Sequence, residues 1–190
     1  YSAGASKKHQ ATIEKLFERT PDGEPRPLRV LTMNVEALAT TEGVKLLDRF
    51  TQTFNAMGVL DESQRFKNPK AVRTDVMIKR RRRFPKRRIM SGTPVTKAPF
   101  DIFSQFYFLD PTILRTDSYT AFKTEYAEML DKDHYLVKKL QRGAWQKKDG
   151  TPSKRVPQII ARDSEGLPVY RNLDKLQRLI AKHSYRVLKK

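Results

Sequence analysis

Residues 56–60, Ala-Met-Gly-Val-Leu, form a short apolar run that stops abruptly at Asp61 and Glu62. Four or five apolar residues in a row read as a buried strand, and the polar residues behind them emerge at its C-terminal edge. In open parallel sheets that edge is where the chemistry sits. Neighbours at a strand end point to opposite sides, so the two carboxylates meet different surroundings. Asp61 is placed to hold Mg2+ through water and phosphate oxygens, since that ion prefers one or two carboxylates plus retained waters. Glu62 is placed to orient or deprotonate a water attacking a γ-phosphate. The competing reading is an Asp-Glu pair that merely opens a turn or caps a helix.

The flanking pattern alternates helix and strand. Residues 6–19 carry Ile13, Leu16 and Phe17 at helical spacing. A loop over 20–27 with three prolines and a Pro-Asp-Gly turn closes that helix. Residues 28–33 read as a strand from their β-branched and apolar content, followed by Asn34 and Glu36. Residues 42–54 set Val44, Leu46, Leu47, Phe50 and Phe54 on a helical period, which predicts a right-handed parallel crossover into the strand ending at Asp61. A helix over 71–83 with Val72, Val76 and Met77 inward follows. A third strand at 88–90, broken by Ser91-Gly-Thr-Pro94, completes a doubly wound α/β layer. From residue 99 the pattern turns helical. Phe100, Phe103, Phe106 and Tyr107 recur at the spacing of a buried helix face, the alternative being an exposed face for a partner. A second amphipathic segment spans 119–130. An exposed basic loop is expected over 141–157 around Trp145, and a last helix carries Leu173, Leu176, Leu179 and Ile180.

The chain's 190 residues hold one well-buried domain with room for an appendage. Lys and Arg number 39 against 21 Asp and Glu, a formal net charge of +18, so a polyanionic partner bound in a salt-dependent way is expected. Eight cations fill the ten positions 79–88, dense enough to follow a phosphate backbone; a solvated helix end, whose carbonyl pole also favours cations, is an equal alternative. The absence of Cys excludes disulfides, Cys-ligated zinc and a thiol nucleophile. His9, His134 and His183 lack metal-ligand spacing. No apolar run approaches the ~20 residues that span a bilayer, and no signal-peptide core opens the chain, so a soluble protein without a membrane partner is expected. Tyr1 rather than Met begins the sequence, and a fragment is expected.

Three blocks occur in a telling order: Leu31-Thr-Met-Asn-Val-Glu-Ala-Leu38; Val59-Leu-Asp-Glu-Ser-Gln-Arg-Phe-Lys-Asn-Pro69; and Arg88-Ile-Met-Ser-Gly-Thr-Pro-Val95 with Asp101-Ile-Phe-Ser-Gln-Phe-Tyr-Phe-Leu-Asp-Pro111. Together they resemble the first motor domain of SWI/SNF-related DNA translocases, which are superfamily-two helicases. Tyr170-Arg-Asn-Leu-Asp-Lys-Leu176 and His183-Ser-Tyr-Arg186 are similar to the segment leading towards that family's second motor domain. The resemblance implies an α/β fold, a partial RecA-like parallel sheet flanked by helices with a helical C-terminal extension. Residues 1–115 would be the distal part of the N-terminal RecA-like ATPase domain, and 116–190 a helical extension with a basic loop.

The same resemblance makes Asp61-Glu-Ser-Gln64 a DEAH-like box, with Asp61 on Mg2+ and Glu62 on the attacking water. Ser91, Gly92, Thr93 and Pro94 become the motif that couples nucleotide state to DNA grip. Two hydroxyls in a loop tightened by Gly92 and Pro94 suit a switch between hydrogen-bonding arrangements, although Ser-Gly-Thr-Pro is also an ordinary turn. Gln64 stands where the family often has His; it can hydrogen-bond towards Ser91 or Thr93 but cannot titrate. Asn34, Lys67 and Asn68 resemble backbone-contacting positions, and Arg80, Arg81, Arg82 and Arg83 make up the arginine run; such contacts carry little sequence preference. The implied cofactors are ATP and Mg2+. The implied partners are duplex DNA and a second RecA-like domain of the same parent chain, which would supply an arginine finger. No Gly-x-x-x-x-Gly-Lys-Ser/Thr loop occurs, since Gly4-Ala-Ser-Lys-Lys8 has a single Gly. The expectation is therefore part of an ATP-dependent translocase or helicase that does not hydrolyse ATP by itself. Compact spacing between the blocks suggests a bacterial or phage-infected cytoplasm, or a nucleus if the source is eukaryotic. A non-catalytic basic DNA- or RNA-binding module is the alternative.

Overall fold

The computed structural model describes residues 7–143 and 158–185. The basic loop expected around Trp145, and the end of the tail block from Arg186, lie outside the described residues. The chain divides into two units, Tyr1–Pro111 and Thr112–Lys190.

The first unit opens with helix α1 (Lys7–Phe17), which lies on α2 (Thr41–Thr53) through aromatic contacts. The Phe17 ring stacks on Phe54 at 5.8 Å and meets Phe50 edge-on, while Arg49 sits 3.8 Å over Phe17 and grips Glu14 with both terminal nitrogens. Helix α2 begins where expected because Thr40 Oγ1 accepts the Gly43 N–H, satisfying one of the donors a helix start leaves over. Gly43 packs so tightly on the preceding 3-10 turn, Val35–Ala39, that a Cβ there would lie 2.1 Å from the Ala37 carbonyl oxygen.

Strand β1 (Met57–Leu60) pairs in parallel with β2 (Lys86–Ile89), and α3 (Val72–Arg80) connects them. The register sets Met57 opposite Lys86 and Leu60 opposite Ile89. The inner face packs on a core of Leu38, Leu47, Leu60, Phe66, Val76, Met77, Phe84 and Phe108. Phe84 and Phe108 press so closely on Gly58 that any side chain there would collide with their rings. Arg87, on the same side, donates to the carbonyls of Leu109, Phe84 and Arg81, so its charge enters the packed layer with its donors satisfied.

Several expectations are corrected. β1 is half-buried rather than buried: Met57 and Val59 remain 46% and 48% exposed. Residues 28–33 form no strand, and Leu28 is 91% exposed. A strand exists only against a partner, and both described strands pair with each other. The sheet therefore has two strands among the described residues rather than three. In α3, Val72 faces solvent while Thr74 is buried with Val76 and Met77. The helix stops at Arg80, and Arg81–Arg83 make one 3-10 turn. Pro99–Ile102 forms a 3-10 turn leading into α4 (Phe103–Leu109), whose Phe103, Phe106 and Phe108 are buried with Phe100. The aromatic stripe is core, which removes the exposed partner-binding face.

The second unit contains α5 (Tyr119–Tyr126), α6 (Tyr135–Gly143) and α7 (Leu173–Ala181). It is not purely helical: antiparallel bridges join Ala127 to Tyr170, Met129 to Ile160 and Arg162 to Pro168. Phe122, Tyr126, Val137 and Leu176 are buried within it. Among the described residues no helix is long and apolar enough to cross a membrane.

Candidate functional site

Because β1 and β2 run parallel, their C-terminal ends open on one edge. The pairing continues past both strands: Met90 N–H donates to Leu60 O at 2.8 Å, and Ser63 N–H donates to Met90 O at 2.9 Å. The turn bearing Asp61 and Glu62 thus lies against the start of the Ser91-Gly-Thr-Pro94 loop. Two sequence blocks about thirty residues apart meet here because of the crossover.

Glu62 occupies the left-handed region, φ 47° and ψ 52°, which an L-residue with a side chain enters at a cost. Its N–H donates to Asp61 Oδ1 at 2.9 Å, which stabilises the turn. Both carboxylates are exposed. The second oxygen of Asp61 is uncommitted among the described residues. No cluster of three or more His, Cys, Asp or Glu occurs among the described residues, so these offer no all-protein metal cage. One exposed carboxylate with a free oxygen fits an Mg2+ that keeps its waters.

From Glu62 a directional chain of hydrogen bonds leads to the loop. Gln64 Nε2 donates to Glu62 Oε2 at 2.6 Å. Ser91 Oγ donates to Gln64 Oε1 at 2.5 Å, and Thr93 N–H donates to Ser91 Oγ at 3.1 Å. A carboxylate can only accept, so it fixes which end of the Gln64 amide faces it, and every later link follows. Gln64, Ser91 and Thr93 are therefore brought together. Gly92 does not adopt a left-handed conformation and has open space where a Cβ would stand, so the tightness expected of it is absent from this arrangement.

Two residues without an assigned role in the sequence hold the rest of the loop. Gln105, fully buried in α4, donates to the Pro94 carbonyl at 2.8 Å and accepts from Ser63 Oγ at 2.6 Å. Asp101 Oδ2 accepts from Thr96 N–H at 2.9 Å, Lys97 N–H at 2.8 Å and Thr96 Oγ1 at 2.7 Å. Burial works to raise the Asp101 pKa, but the bonds from Thr96 and Lys97 and the nearby Lys67 ammonium outweigh it, leaving the carboxyl below its ordinary value. One signal for Gln105 was present: a polar residue at a core position among the phenylalanines of α4.

The residues expected to touch DNA separate into two groups. Lys67 donates to Thr96 Oγ1 and lies 3.4 Å from Asp101 Oδ2, so its ammonium is engaged inside the protein. Asn34 caps the Val35–Ala39 turn, and Asn68 Oδ1 accepts the Lys70 N–H. Arg80 binds Asp48 through two nitrogens, at 2.5 and 2.9 Å, and Arg83 joins the same carboxylate. The Arg80 hydrogen bonds are the first cause that holds the Asp48 pKa low; burial opposes them, and the charges of Arg80 and Arg83 add to the lowering. Arg81 donates to Ile78 O and lies over the Tyr107 ring. The side chains of Arg82, Lys86 and Arg88 are exposed and have no partner among the described residues. The cationic run is thus largely structural at 80, 81, 83 and 87 and open at 82, 86 and 88.

The profile of the SNF2-related domain matches residues 28–147, more than half of the chain and the whole of this site. The chain belongs to the SNF2-related domain family. Members of this superfamily-two, helicase-like group are generally ATPases. No curated protein and no solved structure gave a match. In this SNF2-related chain the matched stretch includes α2, the β1–α3–β2 unit and α4, and it ends beyond α6, while α1 and α7 lie outside it.

Proposed function

We propose that this SNF2-related chain is the distal part of the N-terminal RecA-like motor domain of an ATP-dependent translocase or helicase acting on duplex DNA. The observation that carries this is the hydrogen-bonded path from Glu62 through Gln64 to Ser91 and Thr93. A motor needs its hydrolytic edge to sense its track, and a path of directional bonds from a strand-end carboxylate to an adjacent loop is a physical means of doing so. In this scheme Glu62 holds the attacking water and takes its proton. Asp61 would hold Mg2+ through water, and the ion when bound would supply charge neutralisation on the phosphates. Gln64 keeps Glu62 oriented and reports its position to Ser91. Arg82, Lys86 and Arg88 meet DNA phosphates without sequence preference. A second RecA-like domain of the parent would supply the arginine finger.

The open cations favour one other reading, a basic nucleic-acid-binding module in which the carboxylates are turn residues. The two differ in what Glu62 does. The 190 residues contain no phosphate loop, so the test uses a protein that carries this domain together with one. Glu62→Gln is expected to abolish DNA-stimulated ATP turnover while DNA affinity stays within about two-fold, because affinity for DNA is carried by cations on its phosphates and not by a carboxylate. Undiminished turnover would remove the motor reading and leave the binding module.

A further inference from the structure

Gln105 is fully buried in an aromatic layer, yet both of its polar atoms are hydrogen-bonded. Nε2 donates to the carbonyls of Pro94, at 2.8 Å, and Asp101, at 2.7 Å, and Oε1 accepts the Ser63 hydroxyl at 2.6 Å. Two carbonyl acceptors on one side fix which end of the amide is the NH2, so the Ser63 hydrogen must point at Oε1. Ser63 is itself buried, and its backbone N–H is bound to Met90 O, the residue before the loop. Ser63 directly follows Glu62, and Pro94 closes the Ser-Gly-Thr-Pro motif.

We infer that Gln105 is a positioning residue that couples the carboxylate turn to the loop after β2, through Ser63, by a route separate from Gln64. The inference rests on the motor reading above. Its physical basis is the asymmetry of buried hydrogen bonds. An amide in a dry layer tolerates its surroundings only while every bond is made, and loss of one partner strands a desolvated polar atom. If the turn shifts and Ser63 Oγ leaves Oε1, the arrangement is restored only when α4 and the Pro94 carbonyl move with it. The Gln64 path is only half-buried, and its link to Glu62 is exposed, so it can exchange partners for water at smaller cost. The Gln105 path cannot, so it makes the response of the loop all-or-none.

The test uses a protein carrying this domain and a phosphate loop. ATP turnover with and without duplex DNA, DNA affinity and thermal unfolding are measured for Gln105→Leu, Gln105→Met, Ser63→Ala, the Ser63→Ala/Gln105→Leu pair and Glu62→Gln. Both Gln105 variants are expected to keep DNA-independent turnover and DNA affinity while stimulation by DNA falls about five-fold or more, the lower end of typical coupling between sites. The pair is expected to be no worse than Gln105→Leu alone, because that substitution already removes the bond to Ser63, and a clearly worse pair would overturn the route through Ser63. Unchanged stimulation, or a proportional fall in turnover with and without DNA, would overturn the inference by making Gln105 a fold-holding residue. If neither Gln105 variant folds, Ser63→Ala decides alone: reduced stimulation supports the coupling and wild-type stimulation overturns it. Loss of turnover in Glu62→Gln with normal stimulation in Gln105→Leu overturns only the coupling. Turnover surviving in Glu62→Gln overturns the motor reading and the coupling with it.

Discussion

Arg80 and Arg82 stand two positions apart in one basic run and have opposite surroundings. Arg80 is folded onto Asp48, which joins α3 to α2, whereas Arg82 faces water and has no partner among the described residues. Arg80→Ala is expected to cost about 1–3 kcal/mol, the worth of hydrogen bonds to a charged group plus the carboxylate left behind. Replacing Arg82, Lys86 and Arg88 by Ala is expected to leave stability within about 0.5 kcal/mol, as for surface sites in general. If those side chains meet phosphates, the same triple variant lowers the slope of log K for DNA against log salt by about 0.9 per cation. Denaturant midpoints and salt titrations check the two halves separately. An Arg80 variant as stable as wild type, or an unaltered salt slope in the triple variant, would contradict this division. The sequence revealed the density of cations but not their allotment, because Asp48 lies 32 residues away and nothing local marks it as their acceptor.

The loop over 91–98 is an element without regular structure, held on one side by Gln64 and on the other by Asp101 of the Pro99–Ile102 turn and Gln105 of α4. Asp101 is its main anchor, and its pKa gives the anchor a pH dependence. A carboxyl whose pKa is lowered on folding adds stability that is full above its ordinary value of 3.8 and is lost as the pH falls through the folded value. The stability difference between wild type and Asp101→Asn is therefore expected to be largest above about pH 4 and to shrink in more acid solution. Unfolding midpoints across that range measure it, and a gap that does not change with pH would refute it. At this scale the apolar periods made α2 and β1 legible, and with them the edge bearing Asp61. Residues 28–33 failed because strand formation depends on a neighbouring edge, which composition does not encode. The anchors failed for a related reason: Asp101 and Gln105 acquire their roles from contacts with residues 63, 94 and 96–97, and their own segment, beyond its family resemblance and one polar residue in an aromatic stripe, gives no sign of those partners.

At the scale of the molecule, the charge of +18 and the family match point the same way, towards a protein that works on a polyanion. Every residue of the Glu62 and Gln105 paths belongs to the unit Tyr1–Pro111, so the chemistry proposed for this chain is contained in one of its two units. Proteins sit only slightly above the stability they need, and a strained residue draws on that margin. Glu62 is such a residue, since its backbone conformation suits Gly or Asn better than Glu. Evolution under two different demands should therefore pull this position apart. Libraries selected for heat resistance alone are expected to enrich Gly or Asn at position 62, and libraries selected for work on DNA to retain Glu. Sequencing both would expose a conflict that neither lineage can resolve by changing this residue alone.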